Sequence, residues 1–325
     1  MNQTKIEWCD VTWNPVTGCL HGCPYCYARK IAQRFGKVLP DLSAYQKEHD
    51  GCHVLDNEIQ NNPFPWLFEP TFHAARLNEP EQEEKPKNIF TVSMGDLFGD
   101  WVPEEWIREV LTACKKAPWH KYLFLTKNPA GIDWFIDHDS GEERGSSESL
   151  EYYFPFWFGT SVTCDKDMSR AEILSGFQEG HSFLSVEPLL GSVHLNLKKD
   201  RCPNCGSLDV YEDNPRTRGD ETPIYCDDCG WGGDSREELK PGIEWVIIGA
   251  ETGSRKGKII PQREWIESIV SECRSAGVPV FMKGSLSKIW GAPLIQEFPC
   301  ELIQEFTRED QDENRTDKTV CRKGR

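Results

Sequence analysis

Three cysteines near the start of the chain stand close enough together to bind one inorganic cofactor. Cys19, Cys23 and Cys26 follow the spacing C-x3-C-x2-C, with His21 inside the motif and Tyr25 directly before its last cysteine. Thiolates of this kind ligate the irons of a [4Fe-4S] cluster, and three of them leave the fourth iron open to a chelating ligand. The motif therefore predicts an iron-sulfur cluster with one open position.

A zinc site is the alternative for these cysteines. A partial zinc knuckle would use the same thiolates, and His21 could extend it as a further ligand. Structural zinc sites have four protein ligands in a tetrahedral arrangement, and this spacing offers no regular fourth ligand. Chance clustering of the three cysteines is the remaining alternative.

A second group of four cysteines has the spacing of a zinc ribbon. Cys202, Cys205, Cys226 and Cys229 form the arrangement C-x2-C-x20-C-x2-C, with a glycine after the second cysteine of each pair. Four thiolates close the coordination shell of Zn2+ and leave no position for a substrate, so the predicted role is structural. A second iron-sulfur cluster is the alternative. Basic and acidic residues are interspersed in this insert, so it shows no uniform basic patch for nucleic acid.

The composition limits the class of protein. With 325 residues and 38% hydrophobic content, the chain can form one large α/β domain or two smaller ones. It has no apolar run of membrane-spanning length and no secretory signal, so we expect a cytoplasmic protein without a membrane partner. In that compartment, 14 cysteines favour metal ligation over disulfides. The formal net charge of −16 argues against a chain that coats nucleic acid through its overall field.

The elements that must position these residues alternate between strands and helices. Short apolar and β-branched runs recur with helical stretches between them, which is typical of βα units and a parallel sheet. We predict seven strands, at residues 11–15, 88–93, 121–126, 157–163, 182–186, 244–249 and 278–282.

Two helices have clear start signals. Pro103 suits a first helical turn, and the glutamates that follow it complement the helix dipole. One face of this helix is apolar and carries Trp106, Val110, Leu111 and Cys114. A similar start at Pro261 leads to a second helix, for which Gly277 is the predicted stop.

The cysteine motif, its place after a first strand and the strand series behind it resemble the radical S-adenosylmethionine superfamily. Residues 5–15, 184–191 and 245–251 are similar to a phage-associated branch of that superfamily, and the resemblance extends to about Gly284. It implies a partial (β/α)6 barrel, a [4Fe-4S] cluster on Cys19, Cys23 and Cys26, and an S-adenosyl-L-methionine cofactor. Reductive cleavage of that cofactor gives a 5′-deoxyadenosyl radical.

The zinc ribbon and the C-terminal tail are not part of this common pattern. We therefore divide the chain into a first barrel part at 1–194, an inserted ribbon at 195–241, a last barrel part at 242–300 and an acidic tail at 301–325. Smaller insertions are predicted near 37–87 and 132–155.

In a barrel of this kind, the catalytic face lies at the carboxyl ends of the strands, and every predicted strand end there is polar. Position and resemblance together nominate three catalytic residues: Glu187, Glu251 and Lys283. They also nominate four cofactor-binding residues: Gly95, Asp96, Ser161 and Thr163.

Structural roles are the alternatives for the acidic residues among these. Asp96 could be an ordinary cap at the turn between a strand and a helix. Glu187 and Glu251 follow apolar strands and would be costly to bury unpaired, so each could instead form an internal ion pair. The candidate cations are Lys127, Lys283 and Arg255.

The resemblance leads us to expect a radical enzyme that modifies a nucleic-acid base. The specific hypothesis is isomerisation of an amino-acid-modified thymine in phage DNA, in the host cytoplasm if a phage encodes the chain. The expected partners are then DNA and an electron donor such as flavodoxin or ferredoxin. Aromatic residues at 64–68 would either cap a small core or stack on an extruded base. The alternatives are radical chemistry on a small metabolite, a peptide or a DNA lesion, and a non-enzymatic zinc-binding recognition module.

Overall fold

A computed structural model of the chain describes residues 1–38, 46–49, 52–139, 156–177, 180–197, 199–204, 207, 210–212, 224–233 and 239–303. The strands are β1 (Asn2–Gln3), β2 (Val11–Trp13), β3 (Val16–Thr17), β4 (Gln46–His49), β5 (Cys52–Leu55), β6 (Thr71–His73), β7 (Asn88–Thr91), β8 (Lys121–Thr126), β9 (Phe156–Ser161), β10 (His181–Val186), β11 (Lys199–Arg201), β12 (Val210–Glu212), β13 (Ile224–Cys226), β14 (Gly232–Gly233), β15 (Lys240–Pro241), β16 (Trp245–Ile248) and β17 (Val280–Met282). The helices are α1 (Tyr27–Phe35), α2 (Glu104–Lys116), α3 (Pro129–Asp139), α4 (Met168–Ser175), α5 (Arg263–Ala276) and α6 (Ser287–Trp290).

One large sheet of eight strands organises the molecule, in the order β1-β2-β7-β8-β9-β10-β16-β17. Every neighbouring pair from β2 to β17 is parallel, and β1 is an antiparallel edge strand. All seven predicted strands are present, and the α/β class is confirmed. The strands β1 and β17 form the two edges, so the described part of the chain contains no closed barrel.

The two faces of the sheet bury different side chains, because successive residues of a strand point in opposite directions. Tyr122 and Phe124 belong to the large apolar core that also contains the helices, whereas Leu123 lies between them on the other face. That second face is strongly aromatic and carries Trp8, Phe90, Trp157, Phe183, Trp245 and Phe281.

The helices pack as their sequence patterns predict. The apolar face of α2 is buried at all four predicted positions, Trp106, Val110, Leu111 and Cys114. The helix α5 ends at Gly277, whose φ of 74° is the left-handed conformation of a helix stop. In the described part of the chain, none of the helices has the length and apolar character needed to cross a membrane.

One predicted insertion begins inside a regular helix. The segment predicted near 132–155 starts within α3, which follows β8 as the ordinary helix of a βα unit. Ile132 and Phe135 lie three residues apart on one helical face and are fully buried in the core. Acidic residues around them make this stretch resemble a surface loop in the sequence. Residues 140–155 lie outside the described residues.

Three strands of the insertion predicted near 37–87 pair with β3 to form a second, four-stranded sheet in the order β3-β6-β5-β4. The strand β3 lies directly before the cysteine motif, so this sheet holds the chain where the motif begins. Phe64, Trp66 and Phe68 are buried in small apolar clusters, as in the core-cap alternative. Trp66 stacks on His53 with ring centroids 4.5 Å apart.

The ribbon insert has its own strands and a narrow base. Within it, β12, β13 and β14 form a small antiparallel sheet. The strands β11 and β15 pair with each other where the chain enters and leaves the insert. Arg201 in β11 donates a hydrogen bond to the carbonyl of Ser175 at the end of α4, which fixes this base against the main domain.

Candidate active site

A cavity of about 370 Å³ lies where the carboxyl ends of the parallel strands meet. Residues that end or follow six strands line it, including Ser93, Asp96, Lys127, Ser161, Glu187, Glu251 and Lys283. All three cysteines of the first motif, Cys19, Cys23 and Cys26, line the same cavity. The structure therefore brings together two groups of residues that the sequence places far apart.

The loop that carries the cysteines is held by backbone hydrogen bonds to two segments. Gly18 donates its N–H to the carbonyl of Met94 at 2.9 Å, in an isolated bridge between Gly18 and Gly95. The N–H of Cys19 donates to the carbonyl of Phe68 at 3.2 Å. The turn after β7, with the predicted cofactor residue Gly95, thus lies beside the start of the cysteine motif.

The last cysteine of the motif caps the helix that follows it. The Sγ of Cys26 accepts a hydrogen bond from the N–H of Arg29 at 3.3 Å, at the N-terminus of α1. This bond satisfies one of the backbone N–H groups that have no partner within the first turn of the helix. Burial raises the pKa of Cys19 to about 12, so metal binding at that thiol must displace a proton.

A network of hydrogen-bonded polar residues joins the small sheet to the start of the cysteine loop. His73 is fully buried, with Nδ1 2.9 Å from Glu58 and Nε2 3.0 Å from the hydroxyl of Thr17. A carboxylate only accepts hydrogen bonds, so Nδ1 of His73 carries the hydrogen and Nε2 accepts from Thr17. Burial lowers the pKa of His73 and keeps the ring neutral. Arg76 binds Glu58 with two hydrogen bonds and completes the network.

Asp96 connects the cysteine loop to the strand ends. Its carboxylate is buried and accepts from the N–H of Phe98 at 3.2 Å and the N–H of Lys127 at 3.0 Å. The Nε2 of His21, inside the cysteine motif, lies 2.7 Å from the same carboxylate. The bond to Phe98 closes a local turn and is not the helix cap considered as the alternative role, because the next helix, α2, begins at Glu104 with Pro103 as its N-cap. The other two contacts join segments that are distant in sequence.

Both predicted catalytic glutamates are paired with cations. The Nζ of Lys283 donates to Glu187 at 2.7 and 2.8 Å, and Arg255 donates to Glu251 at 2.6 and 2.7 Å. The hydrogen bonds from Arg255 hold the pKa of Glu251 below its usual range. Lys127, the third candidate cation, lies instead over the ring of Tyr25 at 5.5 Å. The two ion pairs are those considered as alternatives in the sequence.

The two predicted cofactor residues at the end of β9 and directly after it have different positions. Ser161 lines the cavity, and its carbonyl accepts from Arg170 at 3.2 Å. Thr163 does not line the cavity. Both its N–H and its hydroxyl donate to the carboxylate of Asp167, at 2.9 and 2.7 Å, so the turn before α4 holds its side chain.

Several residues of the cavity were not identified from the sequence. Ile6, Trp8 and Phe90 form part of an apolar wall. Tyr27 follows the motif directly and donates its hydroxyl to the carbonyl of Ser93 at 2.6 Å. Burial raises the pKa of Tyr27, so this hydroxyl remains a donor at neutral pH. Its place next to Cys26 was the one signal in the sequence that could have identified it.

In the ribbon insert, the sulfur ligands of Cys202, Cys226 and Cys229 lie within 4.8 Å of one another and could hold a metal ion. The Sγ atoms of Cys202 and Cys229 are 3.7 Å apart. Two thiolates on one tetrahedral ion with metal–sulfur bonds of about 2.3 Å lie about 3.8 Å apart, so this distance fits such a site. The predicted fourth ligand, Cys205, lies outside the described residues.

A family model described as "Protein of unknown function (DUF5131)" matches residues 3–309 of the chain. The chain belongs to the DUF5131 family. No curated protein and no solved structure matches it. The part that matches DUF5131 spans the main sheet and both cysteine groups.

The cavity of this DUF5131 protein combines three kinds of group. Cys19, Cys23 and Cys26 offer soft ligands on one side, and the Glu187–Lys283 pair offers both signs of charge at strand ends. In an iron-sulfur cluster, each thiolate binds a different iron. The three sulfur atoms can therefore lie farther apart than the ligands of a single metal ion. The aromatic wall keeps water away from part of the cavity, which strengthens polar interactions inside it.

Proposed function

We propose that the chain is a radical S-adenosylmethionine enzyme in which Cys19, Cys23 and Cys26 hold a [4Fe-4S] cluster. The observation that supports this most directly is that the three cysteines line one cavity with the polar strand ends. Bound there, the cluster and S-adenosyl-L-methionine would supply a 5′-deoxyadenosyl radical. In this proposal, the open parallel sheet corresponds to the partial (β/α)6 barrel of the superfamily.

The residues around the cysteines have roles that follow from their contacts. Cys26 presents its sulfur at the N-terminus of α1, where negative charge is favoured. Asp96 and His21 fix the loop relative to the strand ends. We assign cofactor binding to Gly95 and Ser161, the latter on the cavity wall that β9 provides.

The substrate groups can be assigned from charge. Glu187 can receive an ammonium group and Lys283 a carboxylate, each through a charge-assisted hydrogen bond that replaces part of their mutual pair. Arg255 already donates hydrogen bonds to both carboxylate oxygens of Glu251. In place of the catalytic role predicted from the sequence, we therefore propose that Glu251 positions the loop that carries it. A substrate that carries both an ammonium and a carboxylate suits this arrangement.

The substrate that we propose is an amino-acid-modified thymine in phage DNA. Its isomerisation would move the amino acid from a nitrogen linkage to a carbon linkage without a change of mass. A base must leave the helical stack to enter a cavity of this size. Because the chain has a net charge of −16, we expect its association with DNA to be weak and strongly dependent on salt.

The cluster is tested by anaerobic purification of single cysteine variants. We expect Cys19→Ala, Cys23→Ala and Cys26→Ala each to lose iron and the brown absorbance, because each removes one ligand. Cys164→Ala is the matched control, since Cys164 is partly buried and belongs to neither cysteine group. A colourless wild-type protein that contains only zinc would instead support a recognition module.

The substrate is tested by incubating the reduced protein with S-adenosyl-L-methionine and DNA that carries an amino-acid-modified thymine. We expect a modified nucleoside of unchanged mass and altered chromatographic retention. If 5′-deoxyadenosine forms regardless of that DNA but is stimulated by a free metabolite, a peptide or a DNA lesion, the enzyme class stands and the substrate is wrong.

The ribbon has a separate part in the proposal. We assign a structural Zn2+ to Cys202, Cys205, Cys226 and Cys229, with support from the 3.7 Å distance between two of its sulfurs. The electron that the enzyme needs would come from a flavodoxin or a ferredoxin.

A further inference from the structure

The helix that follows the cysteine motif exposes an apolar face. Ile31 and Phe35 are 38% and 52% exposed, and they lie four residues apart on one side of α1. The other side, with Ala28 and Ala32, is buried. Large apolar side chains in a row on one exposed helical face are typical of a binding surface.

Two more exposed apolar residues lie near the helix in the chain. Leu20, within the cysteine loop, is 57% exposed, and Val38, after the helix, is 65% exposed. We define the α1 surface by four exposed apolar residues, Leu20, Ile31, Phe35 and Val38.

The α1 surface also has a charge opposite to that of the whole molecule. Residues 11–40 contain no aspartate or glutamate, although the chain has a net charge of −16. Four basic residues lie on or beside the helix, Arg29, Lys30, Arg34 and Lys37. None of the four forms an ion pair with another described residue. The guanidinium of Arg34 lies 5.2 Å from the ring of Phe35, at the border of the apolar face.

An apolar centre with a basic rim fits an acidic protein better than a nucleic acid. Three of its four apolar residues, Leu20, Ile31 and Val38, are aliphatic, so most of the apolar centre offers no ring on which a base stacks. Protein interfaces have an apolar core and a polar rim, and complementary charge speeds their association. A single helix of nine residues with one adjoining loop suits a small, transient contact, and redox encounters commonly bury less than about 1,200 Å².

The position of the surface indicates the kind of acidic protein. Leu20 lies between Cys19 and Cys23, and α1 begins directly after Cys26, so a partner that contacts Leu20 and α1 lies against the loop that carries the three cysteines. We propose that the α1 surface docks an acidic electron-transfer protein of the flavodoxin type. In each encounter, the reduced donor loses one electron and becomes its semiquinone, and the oxidised cluster gains that electron. This inference rests on the proposed function, because it requires a cluster at the cysteines.

Binding is measured directly, with a fluorescently labelled acidic flavodoxin and the full chain at low and at high salt. We expect Ile31→Asp and the double variant Lys30→Glu/Arg34→Glu each to raise the Kd about tenfold or more, through loss of the apolar centre and the basic rim. Ile173→Asp on α4 is the matched control for the first, because Ile173 is 41% exposed. Lys116→Glu at the end of α2 is the control for charge. We also expect the wild-type Kd to rise with salt.

A second measurement compares two reductants. With flavodoxin as the electron source, the α1 variants should cleave S-adenosyl-L-methionine more slowly than the controls. With dithionite, which needs no docking, all variants should match the wild type. If dithionite supports no cleavage in the wild type, the proposed function fails, while the binding data still decide whether the α1 surface holds an acidic protein.

Three results would overturn the inference itself. The first is that the flavodoxin does not bind the wild type, and the second is that Ile31→Asp and Ile173→Asp weaken binding equally. The third is that a DNA duplex displaces the flavodoxin and loses its own binding in Ile31→Asp, which would assign this surface to nucleic acid.

Discussion

Lys283 donates hydrogen bonds to both carboxylate oxygens of Glu187, at 2.7 and 2.8 Å. The two residues follow β17 and β10, and β16 separates these strands in the sheet. Their side chains are 17% and 23% exposed, so the pair is neither sealed in the core nor fully hydrated. It can therefore stabilise the cavity wall and still exchange part of its bonding for a ligand.

Removal of either partner should destabilise the protein. We expect Glu187→Gln and Lys283→Met each to lower the free energy of unfolding by about 1–3 kcal/mol, because each leaves one charge without its partner. The double variant should lose less than the sum of the two, and urea denaturation of all four proteins measures this coupling. Strictly additive losses would show that the pair contributes nothing to stability.

Gly249→Ala tests the same pair without removing a charge. A Cβ at residue 249 would lie 2.8 Å from Cδ of Glu187, so the carboxylate must move away. Because that group is the end of a flexible side chain, we expect a smaller loss of stability than in Glu187→Gln, together with weaker substrate binding. Gly176→Ala is a control away from the cavity. Unchanged substrate binding in Gly249→Ala would contradict the role of Glu187.

Asp96→Ala should destabilise the protein more than an exposed aspartate would. The variant leaves the N–H groups of Phe98 and Lys127 without their acceptor, so we expect a loss of about 2–4 kcal/mol in the free energy of unfolding. Asp96→Asn keeps one acceptor oxygen and should lose less. Asp100→Ala, at an exposed position where the carboxylate accepts one hydrogen bond from Asn128, should lose no more than about 1 kcal/mol. If Asp96→Ala has wild-type stability but binds S-adenosyl-L-methionine poorly, then Asp96 contributes to cofactor binding and not to stability.

Metal removal should unfold the ribbon insert and leave the main sheet intact. Closed thiolate sites contribute on the order of 10 kcal/mol to the folding of small zinc peptides, so we expect Cys226→Ser to lose zinc and become sensitive to trypsin within residues 199–241. Metal analysis and the masses of the fragments measure this. Cys164→Ala should keep both the zinc and the protease resistance. An insert that resists trypsin equally well without metal would rule out the zinc assignment.

The hydrogen-bond network of Glu58, His73 and Arg76 should make the free energy of unfolding depend on pH. Burial alone would raise the pKa of Glu58, but hydrogen bonds from His73 and Arg76 lower it to about 2. In the unfolded chain, a glutamate titrates near pH 4.3. The stabilisation by Glu58 is therefore complete above about pH 4.3 and is lost as the pH falls through about 2.

Thermal melting of the wild type and Glu58→Gln at several pH values tests this. We expect the variant to melt at a lower temperature at pH 7, and the difference between the two proteins to shrink progressively below about pH 4.3. Glu267→Gln, in an exposed ion pair on α5, is the control and should show little difference at any pH. A constant difference from pH 7 to pH 2.5 would mean that the carboxylate of Glu58 has an ordinary pKa.

Much of the architecture follows from local sequence patterns. Strands buried on both faces are short apolar runs, so all seven parallel strands could be predicted, and their common direction brings Glu187 and Lys283 to one edge. The helix α2 could be predicted because its apolar residues recur with helical spacing. The start of α3 could not, since acidic residues in the sequence obscure the buried face that carries Ile132 and Phe135.

The partners of the site residues depend on the three-dimensional arrangement. No spacing rule distinguishes Lys283 from Lys127 as the partner of Glu187, because the choice depends on strand order and side-chain direction. Thr163 lies two residues from Ser161, yet the carboxylate of Asp167 holds it away from the cavity. The network of Glu58, His73 and Thr17 joins residues across an insertion whose fold the sequence did not reveal.

The base of the ribbon insert determines where that module lies. Arg201 is bound to the end of α4, just before β10 begins, and β15 leads within a few residues into the start of β16. The insert is therefore attached at the end of the sheet where the parallel strands begin, whereas the cavity lies at the opposite end, where the strands finish. A molecule bound to the ribbon and a substrate in the cavity approach from opposite ends of the sheet. A molecule bound at the base of this insert would therefore leave the opening of the cavity free.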